Sequence, residues 1–266
     1  MWFVFGAYSV LTCGLFMVHN VNQKRTTHHT ITKGDQIMAN YYNNEILAKF
    51  NEALKEAKED VRSGKVTSVS ISKGNEKMGA VPSVSLLPFL TCPSICKGTC
   101  GKICYAAKLA NLRESVLKSY ARNTALLMLK PDLYWMGIEY AVMGSRFFRF
   151  HVSGDIPRSD YFEKVVEIAQ NNVHCEILIF TKRYEIVNSW IAQNGDLPNN
   201  LHVLFSGWED LTPDNPYNLP ETNVYGKKEE PKEEWLLCGG NCLECGCRGL
   251  GCWQAKKGDV IAFAKH

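Results

Sequence analysis

Between Arg146 and Ser206, apolar strand-like runs alternate with helical ones, and few folds accept that pattern. Arg146-Phe-Phe-Arg-Phe-His-Val152 reads as a strand, Asp160 to Gln170 as a helix, and Glu176 to Thr181 as a strand. Tyr184 to Gln193 then reads as a helix and Leu201 to Ser206 as a strand. Strands joined by helices of this length imply right-handed βαβ units and a parallel sheet. The period-two pattern of the first strand puts Arg149, His151 and Ser153 on one face and Phe148, Phe150 and Val152 on the other. The aromatic face is expected beneath the helices, and the polar face inside a barrel or at its mouth. The strands run out into Ser153-Gly154-Asp155, Thr181-Lys182-Arg183 and Ser206-Gly207-Trp208. Parallel α/β folds bind ligands at the carboxyl ends of their strands, so these ends should share one rim.

The flanks divide into segments. Residues 38–87 carry a helix from Asn43 to Arg62, with an apolar stripe of Ile46, Leu47, Phe50, Leu54, Ala57 and Val61, stopped by Gly64. A β-hairpin is expected next, from Lys65–Ser72 and Val81–Leu87 about the turn-rich Asn75–Gly79. Residues 88–212 form the core. Its helix pattern from Tyr105 to about Leu129 ends at Pro131, and a shorter one runs from Asp132 to Met143. Residues 213–266 begin with a surface connection (Pro213 to Glu234) and close with a strand at Asp259–Ala264.

Cysteine placement carries the chemistry. Of the 11 cysteines, only Cys13 and Cys175 lie outside two short windows. The first window is Cys92-Pro-Ser-Ile-Cys96-Lys-Gly-Thr-Cys100-Gly-Lys-Ile-Cys104, read as a loop because of Pro93, Gly98 and Gly101. The second is Cys238-Gly-Gly-Asn-Cys242-Leu-Glu-Cys245-Gly-Cys247, followed by Cys252-Trp253. Core cysteines scatter, whereas ligand cysteines bunch because several thiolates must converge on one centre. The odd total and the bunching argue against a secreted disulfide scaffold and for a reducing, cytoplasmic setting. Soft thiolates select Zn²⁺ or iron–sulfur clusters. The candidate metal ligands are Cys92, Cys96, Cys100 and Cys104, and Cys238, Cys242, Cys245 and Cys252. Zn²⁺ remains the alternative to a cluster at both windows. Tyr105 and Trp253 would shield such centres, and Cys175 reads as a small buried hydrophobe.

A cysteine loop, a long helix, a strand ending in Ser153-Gly154-Asp155-Ile156-Pro157, a helix, and a strand ending in Phe180-Thr181-Lys182 is an order similar to that of radical S-adenosylmethionine barrels. The resemblance implies an α/β fold with a partial or full parallel β/α barrel. It also implies one or two 4Fe-4S clusters and S-adenosylmethionine as cofactor. Cys92, Cys100 and Cys104 would hold an open cluster, and the C-terminal cysteines an auxiliary one. In such enzymes a Gly-Gly-Glu-Pro turn holds the amino group of the cofactor. Ser153, Gly154 and Asp155 would play that part, with glycine allowing close backbone approach and aspartate supplying the anion. Arg149 is available for a carboxylate or phosphate, and Asp155, His151 and Lys182 are the catalytic candidates. Cys238-x3-Cys242-x2-Cys245 repeats the three-cysteine spacing of these enzymes, but far from the first strand, where they carry it.

Residues from about Val84 to His266 also resemble the uncharacterised phage and mobile-element proteins called the gene product 88 family. The resemblance rests on Cys92, Cys100-x3-Cys104-Tyr105-Ala106, Phe150-His151-Val152-Ser153-Gly154-Asp155, Phe180-Thr181-Lys182, and Gly240-Asn241-Cys242-x2-Cys245 to Cys252-Trp253. It implies a phage setting and lends no reaction, and Cys96 and Cys247 are extras over its pattern. The expected function is a radical S-adenosylmethionine-like enzyme of unknown substrate. The alternative is a non-catalytic, metal-stabilised protein that binds nucleic acid or a host protein through Trp208, Lys182 and Arg183. A net charge of +3 lends the nucleic-acid partner no support.

The 266 residues suffice for one domain with small extensions. Met1 to Val18 is uncharged and mostly apolar, at the lower limit of the about 20 residues a membrane-spanning helix needs. Lys24 and Arg25 follow it, so if it spans a membrane the rest of the chain lies in the cytoplasm. The preferred expectation is different. Lys33-Gly-Asp-Gln-Ile-Met38 can be encoded with a purine-rich ribosome-binding sequence ahead of Met38, so that residues 1–37 are an over-called start.

Overall fold

The structure, a computed structural model, describes residues 41–226 and 230–264, within one unit spanning Met38–His266. The expectations for residues 1–37, an anchor or an over-called start, lie outside the described residues. Helix α1 (Asn44–Arg62) is capped by Asn43, whose side-chain oxygen accepts from the Ile46 amide at 2.9 Å. It buries Ile46, Phe50, Ala57 and Val61.

The expected hairpin does not form. Only single antiparallel bridges join Ser72 to Ser83 and Asn75 to Gly79. Val81, Val84, Leu86 and Leu87 are all fully buried. Such a continuous apolar run suits a parallel strand covered on both faces better than a half-exposed hairpin arm. Accordingly, β1 (Ser83–Val84) pairs in parallel with the strand that begins at Phe147.

The first cysteine window follows β1 and is helical where a loop was expected. A 3-10 turn at Ser94–Lys97 leads into α2 (Thr99–Lys102). Gly98 marks the break between these two short turns, and Gly101 packs so closely that a Cβ there would lie 2.4 Å from the Cys96 carbonyl oxygen. Glycine here joins two turns instead of forbidding them.

One expected helix is two: α3 (Tyr105–Leu112) and α4 (Glu114–Leu129), separated by Arg113 in an extended conformation. The bend lets both pieces bury an apolar face, Ala106, Ala107 and Ala110 on one and Leu117, Ala121 and Ala125 on the other. After α5 (Pro131–Met143) come β2 (Phe147–Phe150), α6 (Ser159–Asn171), β3 (Glu176–Thr181), α7 (Tyr184–Asn194) and β4 (Leu201–Ser206). This is the expected alternation. The supposed surface connection contains β5 (Glu221–Tyr225), and β6 (Leu236–Leu237), α8 (Cys242–Arg248), a 3-10 turn (Gly251–Trp253) and β7 (Val260–Ala264) complete the chain.

All seven strands are parallel, in the order β1-β2-β3-β4-β5-β7-β6. The order ends in β1 and β6 with no pairing between them among the described residues, so the fold is an open parallel α/β sheet and not a closed barrel. Phe148, Phe150, Ile177, Ile179, Val203 and Phe205 pack with the helices on one face. Phe147, Leu178, Leu204 and Ile261 face the other way, where Trp253 and the second cysteine window cover them.

His151 departs from the face expected for it. Its φ of 58° ends the strand alternation at Phe150. Its ring packs on Phe150 and Tyr161, with centroids 5.9 and 5.4 Å away, on the helix side of the sheet. Val152 turns instead to the inner-face cluster.

Candidate metal centres

The carboxyl ends of β2, β3 and β4 do form one rim. Asp155 is buried there and accepts from the Ile156 amide (2.7 Å), the Thr181 hydroxyl (2.6 Å) and the Lys182 amide (2.9 Å). Burial raises its pKa, against the pull of these donors and of the Lys182 charge. The Lys182 ammonium donates to the Ser206 hydroxyl at 2.8 Å, extending the network to β4. Gly154, at φ 81°, meets the protein itself: a Cβ would lie 2.6 Å from the Thr91 hydroxyl and 2.9 Å from the Leu86 Cβ. Its small size therefore serves packing against the segment that follows β1. Ser153 Oγ is buried without a hydrogen bond, beside the Tyr120 hydroxyl.

Two sequence candidates are placed elsewhere. Neither ring nitrogen of His151 has a partner, and burial lowers its pKa to about 3. It is a neutral core side chain, joined to neither Asp155 nor Lys182 by a hydrogen bond. Arg183 is occupied by the Ile156 and Pro157 carbonyls, both at 3.0 Å, and by Glu185.

The first window stands over this rim. The Cys96 thiol is within hydrogen-bonding reach of Cys100 and Cys92, and these contacts with burial push its pKa far up. The Cys100 pKa is pulled down to about 6, first by the Cys96 hydrogen bond and then by Lys182, against burial. Cys104 caps α3, with the Ala107 amide 3.5 Å from its sulfur, and burial pushes it up to about 12. For Lys182, burial lowers the pKa, but Cys100, Cys96, Asp155 and Cys92 together raise it. Cys92, Cys96 and Cys100 thus all act on the half-buried Lys182 ammonium, and Cys92 and Cys100 act on Cys104. Two residues that hold the window escaped sequence reasoning. Thr99 donates its amide and its hydroxyl to Asp210, each at 2.9 Å, and nothing in Trp208-Glu-Asp-Leu211 marks Asp210 for that role.

The second window lies across the inner face of the sheet. Cys252 is pushed up to about 12 by burial and then by Cys238, with Cys242 and Cys245 also contributing and Arg149 opposing. Burial also raises Cys242 and Cys245, each of which feels Cys238. Cys238, Cys242 and Cys245 thus all act electrostatically on Cys252. Cys247 instead lines a hollow of about 330 Å³ with Arg146, His174 and Glu176. Cys175 is fully buried in the core, its thiol pushed up to about 12 by burial, as an inert packing cysteine should be. Among the described residues no group of three or more His, Cys, Asp or Glu side chains is arranged to hold a metal ion as it stands. What fits the metal reading is the donor set: two short windows of thiols, the first with the Ala107 N–H aimed at the Cys104 sulfur.

A family model described as Gene product 88 matches residues 35–249. The chain belongs to the gene product 88 family. The matched region of this gene product 88 chain starts ahead of α1, upstream of the stretch on which the sequence resemblance rested, and it ends before Cys252. Neither the curated proteins nor the solved structures contain a match to it. Among the described residues no helix is long and apolar enough to cross a membrane.

Proposed function

We propose that the chain is an iron–sulfur enzyme of the radical S-adenosylmethionine type that works at the rim of its sheet. One observation carries the reading. The first cysteine window leaves β1, Asp155 follows β2 and Lys182 follows β3, so thiols, acid and ammonium meet at one edge of a parallel sheet. Cys92, Cys100 and Cys104 would hold a 4Fe-4S cluster, with Cys96 the fourth thiol in reach. When bound with one iron free of protein thiolate, such a cluster supplies the electron for reductive cleavage of S-adenosylmethionine.

The chain's own residues prepare that edge. Lys182 favours the ionised form of Cys100 in a desolvated setting, where opposite charge is needed to keep a thiolate ionised. Asp155 fixes the turn after β2 to the end of β3 through its three acceptor contacts. Ser153 offers a buried hydroxyl whose neighbour is the Tyr120 hydroxyl.

The test is anaerobic purification with iron, sulfide and zinc analysis, followed by incubation with dithionite and S-adenosylmethionine. Formation of 5′-deoxyadenosine is expected. A cluster-loaded protein that neither binds nor cleaves the cofactor overturns the reading. Zinc without sulfide would favour the non-catalytic, metal-stabilised protein.

A further inference from the structure

We infer that the second window is a metal centre of its own, closed by Cys238, Cys242, Cys245 and Cys252 and balanced in charge by Arg149. This assignment does not depend on the cofactor chemistry proposed for the rim.

The segment is built around its sulfurs. Gly239 and Gly251 close over Cys245, where an added Cβ would lie 3.1 and 3.5 Å from the sulfur. The Gly239 backbone favours the ionised form of that same thiol, against burial. The Leu250 amide returns to the Cys245 carbonyl at 2.9 Å, and the Trp253 indole N–H donates to the Cys242 carbonyl at 2.8 Å. At either end the Cys238 amide bonds Ala262 of β7 (3.0 Å), and the Cys242 amide bonds Lys77 (3.1 Å). Tight glycine turns packed against a cysteine sulfur, in a segment this poor in apolar side chains of its own, are the support a thiolate centre requires.

Arg149 supplies the second, independent sign. Its guanidinium lies over the Phe180 ring with Cζ 4.5 Å from the centroid, and its Nη1 is 3.9 Å from the Cys242 sulfur. Its Nε is buried without a hydrogen bond, and no carboxylate pairs with it among the described residues. A desolvated cation is costly unless an anion meets it. Four thiolates around Zn²⁺ or around a 4Fe-4S cluster carry net negative charge, and either would meet that need. Cys247 lines the hollow at the amino ends of β2 and β3.

Native mass spectrometry of the whole anaerobically purified chain, with iron, zinc and sulfide analysis, counts the centres and separates zinc from a cluster. The unaltered chain should hold a centre that survives Cys100→Ser, is lost in Cys245→Ser, and is kept in Cys247→Ser. A chain whose metal is all lost with Cys100→Ser overturns the assignment, and so does equal loss in the Cys245 and Cys247 variants. Because the count on the unaltered chain comes first, misfolding of one variant does not shield the inference. Arg149→Met should loosen the centre, read as faster metal loss to a chelator, while Arg149→Lys should restore much of the retention. Equal retention in the Arg149→Met variant and the unaltered chain removes the charge-balancing role. Failure to cleave S-adenosylmethionine leaves all these counts unchanged, so the two readings fail separately.

Discussion

The first cysteine window hangs from the edge of the sheet by polar tethers, whereas the second is packed against its inner face by apolar side chains. Thr99–Asp210, Tyr105–Val152 and the Lys182 ammonium hold the first. Phe147, Leu178, Leu204, Ile261 and Trp253 hold the second. Polar tethers on short, partly exposed helical turns can open without unfolding the domain, and apolar burial cannot. The two windows therefore differ in how far each can move independently of the core.

The largest effect expected from this difference lies at Trp253. The indole is almost fully buried, its centroid 5.0 Å from that of Phe147 and 6.0 Å from that of His202. Trp253→Ala should cost about 3–5 kcal/mol in urea denaturation, as truncations of large buried aromatics do. A loss below about 1 kcal/mol, the size of a surface change, would mean that the second window is not part of the core.

The alternation from Arg146 to Ser206 was legible in the sequence because β3 and β4 are apolar and their helices are amphipathic; both strands run as expected. β5 was not, because of its five residues only Thr222 is buried, and its place is fixed by pairing with β4 and β7. The side on which His151 lies depends on one positive φ, which strand periodicity cannot register. The bend at Arg113 is set by the packing of α3 and α4, with no Pro or Gly to announce it. At the site, cysteine spacing marked the two windows, since residues close in sequence stay close in the fold. Asp210 and the Arg149–Cys242 contact join residues 111 and 93 positions apart, so only the fold reveals them.

The core between the two windows should show in acid. His151 is neutral in the fold, with its pKa lowered to about 3 by burial, whereas the unfolded chain takes up a proton below about pH 6.5. The stabilisation is thus complete above the unfolded value and declines as pH falls toward the folded one. The slope is about 1.4 kcal/mol per pH unit for this group. His151→Phe should remove that share of the slope. Its baseline stability shifts with the strained φ, so the difference in slope is the quantity to compare. Parallel pH profiles for the two proteins would show that the ring does not reside in the apolar core.

The smallest effect is the one that isolates the rim. Asp210 is exposed, and its two bonds to Thr99 are the kind whose loss costs at most about 0.5–1.5 kcal/mol each. Asp210→Ala should therefore leave the denaturation midpoint nearly in place. What it removes is a tether across the 3-10 turn and α2, so local opening there should become more frequent without global unfolding. Trypsin reads this directly, because Lys97 and Lys102 lie on those two turns while Arg248 closes α8 in the second window. Cleavage at Lys97 and Lys102 should accelerate, and cleavage at Arg248 should hold its rate. Acceleration at all three sites would mean that the windows open together, and that polar tethering does not give the rim a mobility of its own.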